Sequence, residues 1–280
     1  MKQQFGIALL QVLIITMILS TVALFITKTA KQQIAYASLF NDKTAALVLY
    51  RDTRSKVLYK LLTETSAPTE IPDWNVYGRP FSVTKNASVW VQDLSGMLDI
   101  HYINQSKFMK LLESLGYNED EAFEALNKIK DWQDENRISL YFHPEPDYKN
   151  GAIHDTSELY RLNLREDLVN MMKSNSTVHK GGRFNPMNSP DSLLRGILPS
   201  NVAEQVIAER TTSDFSTRRF SIITGIVESD RVVLYTSNNF QVNIEAKVGT
   251  AVIAKKEVFK LKPTKNSPVN VVEKVVYKYD

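Results

Sequence analysis

The twenty residues from Ile7 to Ile26 carry no charge, no glycine and no proline. Gln11 and three hydroxyls, Thr16, Ser20 and Thr21, are the polar groups in a run of Ile, Leu, Val, Met, Ala and Phe. A helix of this length spans roughly 30 Å, the hydrocarbon thickness of a bilayer. A cleaved secretory signal would have an apolar core of about 7–15 residues and a small-residue cleavage site after it. The TKTAKQQ that follows the run here is a poor match to that pattern. The run predicts a membrane-embedded helix, with a buried core helix as the competing reading. Its orientation stays open, because Lys2 lies on one flank and Lys28 and Lys31 on the other.

The helix does not stop at the membrane surface. From Thr27 to Thr63 there is again no proline or glycine. Apolar residues recur at helical spacing, first Ile34, Leu39 and Phe40, then Ala46, Leu47 and Tyr50, then Val57, Leu58, Leu61 and Leu62. Pro68 and Pro72 end the pattern. The expected helix is nearly 60 residues long, on the order of 85 Å. Its second half presents an apolar stripe to a globular region.

Beyond that helix the composition is ordinary for a soluble protein. The chain has 280 residues and a net charge of +3, too small to imply nucleic acid by itself. The absence of cysteine excludes thiol chemistry and a disulfide scaffold, and fits either the periplasm or the cytosol.

At the C-terminal end, Phe240, Val242, Ile244, Ala246 and Val248 alternate with polar residues, the period of a half-buried strand. Further strands are expected over Ala251 to Phe259 and over Val269 to Tyr279, the last with Val269, Val271, Val275, Tyr277 and Tyr279 on one face. Pro80 to Val83 and Ser88 to Gln92 add two short strands. Between these regions the pattern turns helical. Ser106 is the expected N-cap of one helix with Gly116 as its stop, and acidic residues open the next at NEDEAF. Ser189 and Ser200 are the expected caps of a second helix pair, and Lys173 to Ser189 reads as the loosest loop. The architecture is α+β, with a helical insert in a strand-rich domain.

Catalysis finds no support. The histidines, His101, His143, His154 and His179, stand apart without metal or triad spacing, and Gly181-Gly182 has neither the preceding strand nor the following Lys-Ser/Thr of a phosphate loop.

Five short segments, in this order, resemble a known family. They are the Gly6 junction followed by IALLQVLIITMIL, DLSGMLDI at Asp93 to Ile100, DWQDEN at Asp131 to Asn136, SELYRL at Ser157 to Leu162, and FNPMNSPDSLL at Phe184 to Leu194. Together they resemble the K-type minor pseudopilins of the type II secretion system, also called general secretion pathway protein K, along nearly the whole chain.

The resemblance implies a long N-terminal helix packed on a small antiparallel sheet, with a large α-helical domain inserted. It divides the chain into a prepilin leader, 1–6, a transmembrane part of the helix, 7–26, and a periplasmic part, 27–64. A pseudopilin β-domain follows from 65–104 and 227–280, with the inserted helical domain at 105–226. Prepilin peptidase would cut between Gly6 and Ile7, leaving Gln11 as the fifth mature residue. Other pseudopilins resemble one another in having a glutamate there, which is thought to neutralise the amino terminus of the subunit ahead. A carboxylate in lipid costs roughly 2.5–3.5 kcal/mol on insertion scales and so needs such a partner. Gln11 can hydrogen-bond an amine but brings no charge, which suits a subunit at the filament tip with nothing above it. A tolerated polar residue in a plain anchor is the other reading of Gln11.

The implied partners are the I-type and J-type minor pseudopilins, the other pseudopilins, prepilin peptidase and the inner-membrane secretion platform, with no nucleic acid. Ile34, Leu39 and Phe40 are the expected contacts to partner helices. The implied location is a single-pass anchor in the inner membrane with the globular part in the periplasm. No cofactor is required, and calcium is the one ion the resemblance suggests, on Asp131, Asp134 and Glu135. Calcium wants six to eight oxygens, and the family's acidic loop is replaced here by RISLYFHPEPDYKN, with Glu145 and Asp147 as the carboxylates that remain. The alternative function is a minor pilin of a type IV pilus, DNA-uptake or adhesion system. It rests on two hairpins, LLESLGYNEDEAFEAL and LLRGILPSNVAEQVI, that faintly resemble DNA-binding helical hairpins. The first is acidic at its turn and the second offers little beyond Arg195, whereas phosphate binding relies on clustered Lys and Arg.

Overall fold

The computed structural model describes residues 4–63, 71–136, 138, 148–179, 182–212, 215–262 and 268–279, with 4–6, 273 and 276–279 described by their backbone. Helix α1, Gln4–Thr63, is a single element of 60 residues. Its hydroxyls explain how the polar residues of the apolar run are tolerated. Thr16, Ser20 and Thr21 donate back to the carbonyls of Leu13, Thr16 and Ile18 at 3.0, 2.7 and 2.8 Å. Each of these hydroxyls is therefore satisfied inside the helix, as a hydrocarbon environment demands.

The upper half of α1 lies on a five-stranded antiparallel sheet. Its strands are β1, Tyr77–Thr84, β2, Ala87–Asp93, β5, Asn239–Val248, β6, Ala251–Leu261, and β7, Val269–Tyr279, in the order β1-β2-β5-β6-β7. Ala46, Tyr50, Val57 and Leu61 of α1 are buried against Val89 and Val91 of β2 and the alternate residues Phe240, Val242, Ile244 and Ala246 of β5. The period of 3.6 meets the period of 2, which is the pattern the sequence carries in these two segments. Within this interface Glu257 of β6, 2% exposed, pairs with Arg54 of α1 and, at 2.9 Å, with Lys274 of β7.

The face of β7 differs from the sequence-based expectation. Two register shifts, between Ala254/Lys255 and between Val258/Phe259, break its pairing with β6. Val271 is paired with Phe259, on the helix side, whereas Val275 is paired with Lys256 and lines a groove on the opposite face. A one-residue bulge inverts the facing of every side chain beyond it.

The chain between β2 and β5 forms two helical lobes. The first holds α2, Gln105–Ser114, α3, Glu119–Gln133, and α4, Glu166–Asn175, around Phe108, Leu112, Leu126, Ile129 and Leu168. The second holds α5, Asp191–Ile197, α6, Ser200–Glu209, and α7, Thr217–Thr224, around Leu194, Val206 and Phe220. Two-residue strands β3, Leu98–Asp99, and β4, Ser176–Thr177, pair in parallel between them.

Several expected caps move. Asn104, not Ser106, caps α2 by accepting from Lys107 N at 3.1 Å. Asn118 and Glu121 form a reciprocal capping box on α3, both bonds at 2.9 Å. Pro190 and Pro199, not Ser189 and Ser200, stand at the cap positions of α5 and α6, where no side chain caps the helix. A fixed proline φ sets the chain direction into each of these helices. The sequence reading missed α7, although Ser216 caps it and Gly225, at φ 70°, ends it.

Glu158, in a 3-10 turn at Thr156–Leu162, ties the first lobe together. It accepts from Lys149 Nζ at 2.9 Å, from Trp132 Nε1 at 3.2 Å and from His154 N at 2.9 Å. Burial alone would raise its pKa, but the Lys149 ammonium and the hydrogen bonds from His154 and Trp132 overrule it and lower the value from 4.5 to about 2. A carboxyl with a depressed folded pKa adds stability above its unfolded pKa and loses it as pH falls through the folded one. The difference in melting temperature between the wild type and Glu158→Gln is therefore expected to be wide at neutral pH. It should close as pH falls from 4.5 to about 2. Thermal melts of both proteins across that range check this, and a constant difference would contradict it.

Candidate functional site

Two of the short segments singled out in the sequence meet in a buried polar node. Asp93, at the end of β2, is fully buried. Its Oδ1 accepts from Ser95 N at 3.0 Å and from Ser237 Oγ at 2.5 Å. Its Oδ2 accepts from Asn188 Nδ2 at 2.7 Å and from Ser237 N at 3.0 Å. The neighbouring Gln92 donates through Nε2 to the carbonyls of Asp93 and Asn188 at 2.7 and 2.9 Å. Asn185 N donates to Ser95 O at 2.7 Å, and Asn185 Nδ2 to Tyr235 O at 2.9 Å.

Arg210, at the end of α6, closes the other side. Its side chain has no exposed surface. Nη1 donates to Ser189 O at 2.8 Å, and Nη2 to Met187 O and Pro186 O at 2.7 and 3.2 Å. Its guanidinium also lies 4.6 Å from the centre of the Tyr77 ring. Burial lowers its pKa to about 10, with Asp191 opposing the shift, so it stays cationic at neutral pH. The stretch from Lys173 to Ser189, expected to be the loosest loop, ends in this node with Asn185 and Ser189 fully buried. Its side chains supply the hydrogen bonds that hydropathy alone does not register.

The node can do no chemistry that its geometry reveals. Asp93, Asn188 and Ser237 are spent on one another, and the node has the character of a joint. His101 is equally committed, with Nδ1 2.7 Å from Gln133 Oε1 and Nε2 3.1 Å from Val178 O. His143 lies outside the described residues. Arg195, the basic residue of the second hairpin, is engaged by Glu204 at 2.7 Å.

The calcium expectation finds a partial set. Asp131 is buried on α3, Asp134 caps its C-terminal end and Glu135 is exposed. Asp134 Oδ2 accepts from Asn136 at 2.8 Å, while its buried Oδ1 has no hydrogen-bond partner. No group of three His, Cys, Asp or Glu converges among the described residues. Alone these carboxylates do not meet calcium's need for six to eight oxygens, and Glu145 and Asp147 lie outside the described residues.

The expected assembly residues sit on the other distinctive surface, the lower half of α1. Gly6 lies in its first turn, where only the backbone is described, and residues 1–3 of the expected leader lie outside the described residues. Ile7 and Gln11 are exposed, and none of the most apolar window of the helix is buried by the rest of the chain. Higher up, Ile34 and Phe40 are 70% and 75% exposed and Leu39 is partly covered. The structure brings these three to one stretch of free helix below Asp42, where the globular part begins. There Thr250 N donates to Asp42 Oδ2 at 3.3 Å.

No family model and no curated protein matches the chain. Among solved structures, a chain of the GspK-GspI-GspJ complex from the enterotoxigenic Escherichia coli Type 2 Secretion System is similar with a TM-score of 0.54. The match covers 89% of this chain and 99% of that chain, at 14% identity. This is a pseudopilin fold. The pseudopilin fold accounts for the long helix over an antiparallel sheet, and helix α1 is long and apolar enough to cross a membrane.

Gly96 tests the joint. A Cβ there would collide with the Asn188 carbonyl and approach Ser189 N to 2.8 Å, all backbone atoms that cannot swing away. Gly96→Ala is expected to lower stability by about 2–3 kcal/mol, the cost of overpacking a tight interior. Gly151→Ala, whose Cβ meets only Lys149 O at 3.9 Å, should change it by less than about 0.5 kcal/mol. Urea unfolding of the two variants side by side is the check, and equal midpoints would refute the close approach.

Proposed function

We propose that this chain is a minor pseudopilin at the tip of a type II secretion pseudopilus, where it starts or caps assembly with I-type and J-type minor pseudopilins. The observation that carries the proposal is the shared fold, over nearly the whole length of both chains, with a subunit of a complex of that composition. The free lower half of α1 supports it. A contiguous apolar surface of that size needs lipid or other helices around it.

In this role the segment 7–26 sits in the inner membrane and the sheet and helical lobes stand in the periplasm. Prepilin peptidase removes residues 1–6, and the secretion platform extrudes the assembled filament. Ile34, Leu39 and Phe40 meet partner helices just above the membrane. The protein acts by assembly and not by catalysis. Calcium, on Asp131, Asp134 and Glu135, would need further oxygen ligands to complete its shell.

Two measurements on membrane-extracted protein test the proposal. N-terminal mass analysis should find Ile7 as the first residue, and Gly6→Val should abolish that processing. The processed chain should co-purify with its two minor-pseudopilin partners, and a monodisperse monomer that ignores both would refute the tip role.

Gln11 separates a tip from a shaft subunit. At a tip, Gln11→Glu has no amine ahead to neutralise and must bear its desolvation or take up a proton. Secretion of a reporter should then stay within about twofold of wild type, as it should for Gln11→Leu, since neither loses a charge pair. A clear gain in secretion or pseudopilus length from Gln11→Glu would place the chain in the shaft.

A further inference from the structure

One of the two hairpins singled out in the sequence, α2 and α3 of the first lobe, holds an open groove between its helices. The cavity measures about 650 Å³, with Met109, Tyr117, Ala122 and Phe123 as its apolar lining and Glu113 and Glu119 on its rim. Local rules build it. Asn104 caps the start of α2, and Gly116, at φ 80°, turns the chain back towards α3. Phe108, Leu111 and Leu112 take the inner row of α2. Met109 and Glu113, one turn apart, are left on the row beside the groove. Glu119 and Phe123 stand at the same spacing on α3.

Neither core packing nor helix stability accounts for two residues of this groove. The buried stripe of α3 is Ala122, Ala125, Leu126, Ile129 and Trp132. Phe123 is off that stripe, partly exposed, and outside the apolar cluster that the stripe builds. Glu113 stands in the last turn of α2, where the helix dipole favours a cation over a carboxylate. It is exposed and makes no ion pair among the described residues.

The rim is negative overall. Glu119 and Asp120 are exposed and, like Glu113, make no ion pair among the described residues. The positive end of the α3 dipole amounts to roughly half a unit charge. Together with Lys110, three residues before Glu113, it leaves three carboxylates unbalanced. Nearby cations are already engaged. Arg165, 4.1 Å from the centre of the Tyr117 ring, donates to Asp167 at 2.6 Å, and Lys128 pairs with Glu124 at 2.7 Å.

We propose that this groove seats a cationic amphipathic helix of a partner protein. Its apolar side chains pack on Met109, Tyr117 and Phe123, and its lysines or arginines lie against Glu113 and Glu119. An apolar floor between acidic rims is complementary to a helix with one apolar stripe and basic flanks. The flexible thioether of Met109 adapts to the shape of an incoming side chain. From Gln105 to Glu113 α2 runs roughly 12 Å, which accommodates anchors at i, i+3 or i+4, and i+7 of a docked helix. An extended peptide would pair with a strand edge, and two helices offer none. Nucleic acid, which calls for clustered Lys and Arg, meets the wrong sign of charge. The proposal does not rest on the secretion role and stands or falls without it.

The test uses the full chain in zwitterionic lipid nanodiscs, with empty nanodiscs as background, and reads fluorescence anisotropy of a dye-labelled peptide. The probe is a leucine–lysine peptide of about 15 residues, long enough to form a helix, with leucine at i, i+3, i+4 and i+7. It should bind saturably, and at least about tenfold more tightly than a shuffled peptide of the same composition or a leucine–glutamate peptide with the same apolar face. Glu113→Gln with Glu119→Gln should weaken it about tenfold, and so should Phe123→Ala. Glu245→Gln, an exposed carboxylate on β5, should change it less than about twofold. Thermal melts keep loss of fold apart from loss of binding, and Glu113→Gln alone should melt no lower than wild type, because it removes a carboxylate from a helix C-terminus. Equal affinity for the shuffled or the leucine–glutamate peptide would overturn the proposal. So would unchanged binding in the two glutamine substitutions of the rim, or an equal loss in Glu245→Gln.

Discussion

A fully buried carboxylate is the constraint on which the globular part depends. Asp93 ends a strand next to the sheet edge, yet its donors come from the turn that follows it, from the 3-10 turn before α5 and from the approach to β5. Burying such a group costs several kcal/mol unless its lone pairs are met, and here each oxygen has two donors. The arrangement therefore tolerates only one placement of the helical lobes on the sheet. Arg210 repeats the logic with opposite sign, a buried cation that ties off the carbonyls of the turn bearing Asn188.

The long helix obeys a different rule along each half. Above Asp42 it is amphipathic and is held by apolar burial and by the ion pairs of Glu257 with Arg54 and Lys274. Replacing such a pair by apolar residues is often neutral for stability, so its value here is better understood as fixing how α1 is rotated and slid on the sheet. Below Asp42 the described residues leave the helix largely exposed. One element thus carries two solvents' worth of pattern, and a pseudopilin fold is an economical answer to that demand.

The joint and the free helix divide the labour. The helix provides an exposed apolar surface long enough to cross a membrane. The joint fixes where the helical lobes stand relative to that surface.

Periodicity and composition by themselves determined the elements. The uncharged run dictated a helix of membrane length, the 3.6-residue stripe from Ala46 to Leu62 dictated its packed face, and alternation dictated β5. These signals are local, because each residue's contribution depends only on neighbours a few positions away. Tertiary structure decided what local pattern does not encode. The bulge of β7 opposite Val258 and Phe259 inverted Val275 through its pairing with β6. Pro190 and Pro199 took the cap positions that Ser189 and Ser200 would fill by propensity. The short segments DLSG and FNPMNS were legible as motifs, but their purpose was not. Asp93 meets Asn188 across 95 positions of sequence and Ser237 across 144. A hydrogen bond over such a separation leaves no trace in spacing, and it exists only once the sheet and the lobes have brought its donor and acceptor together.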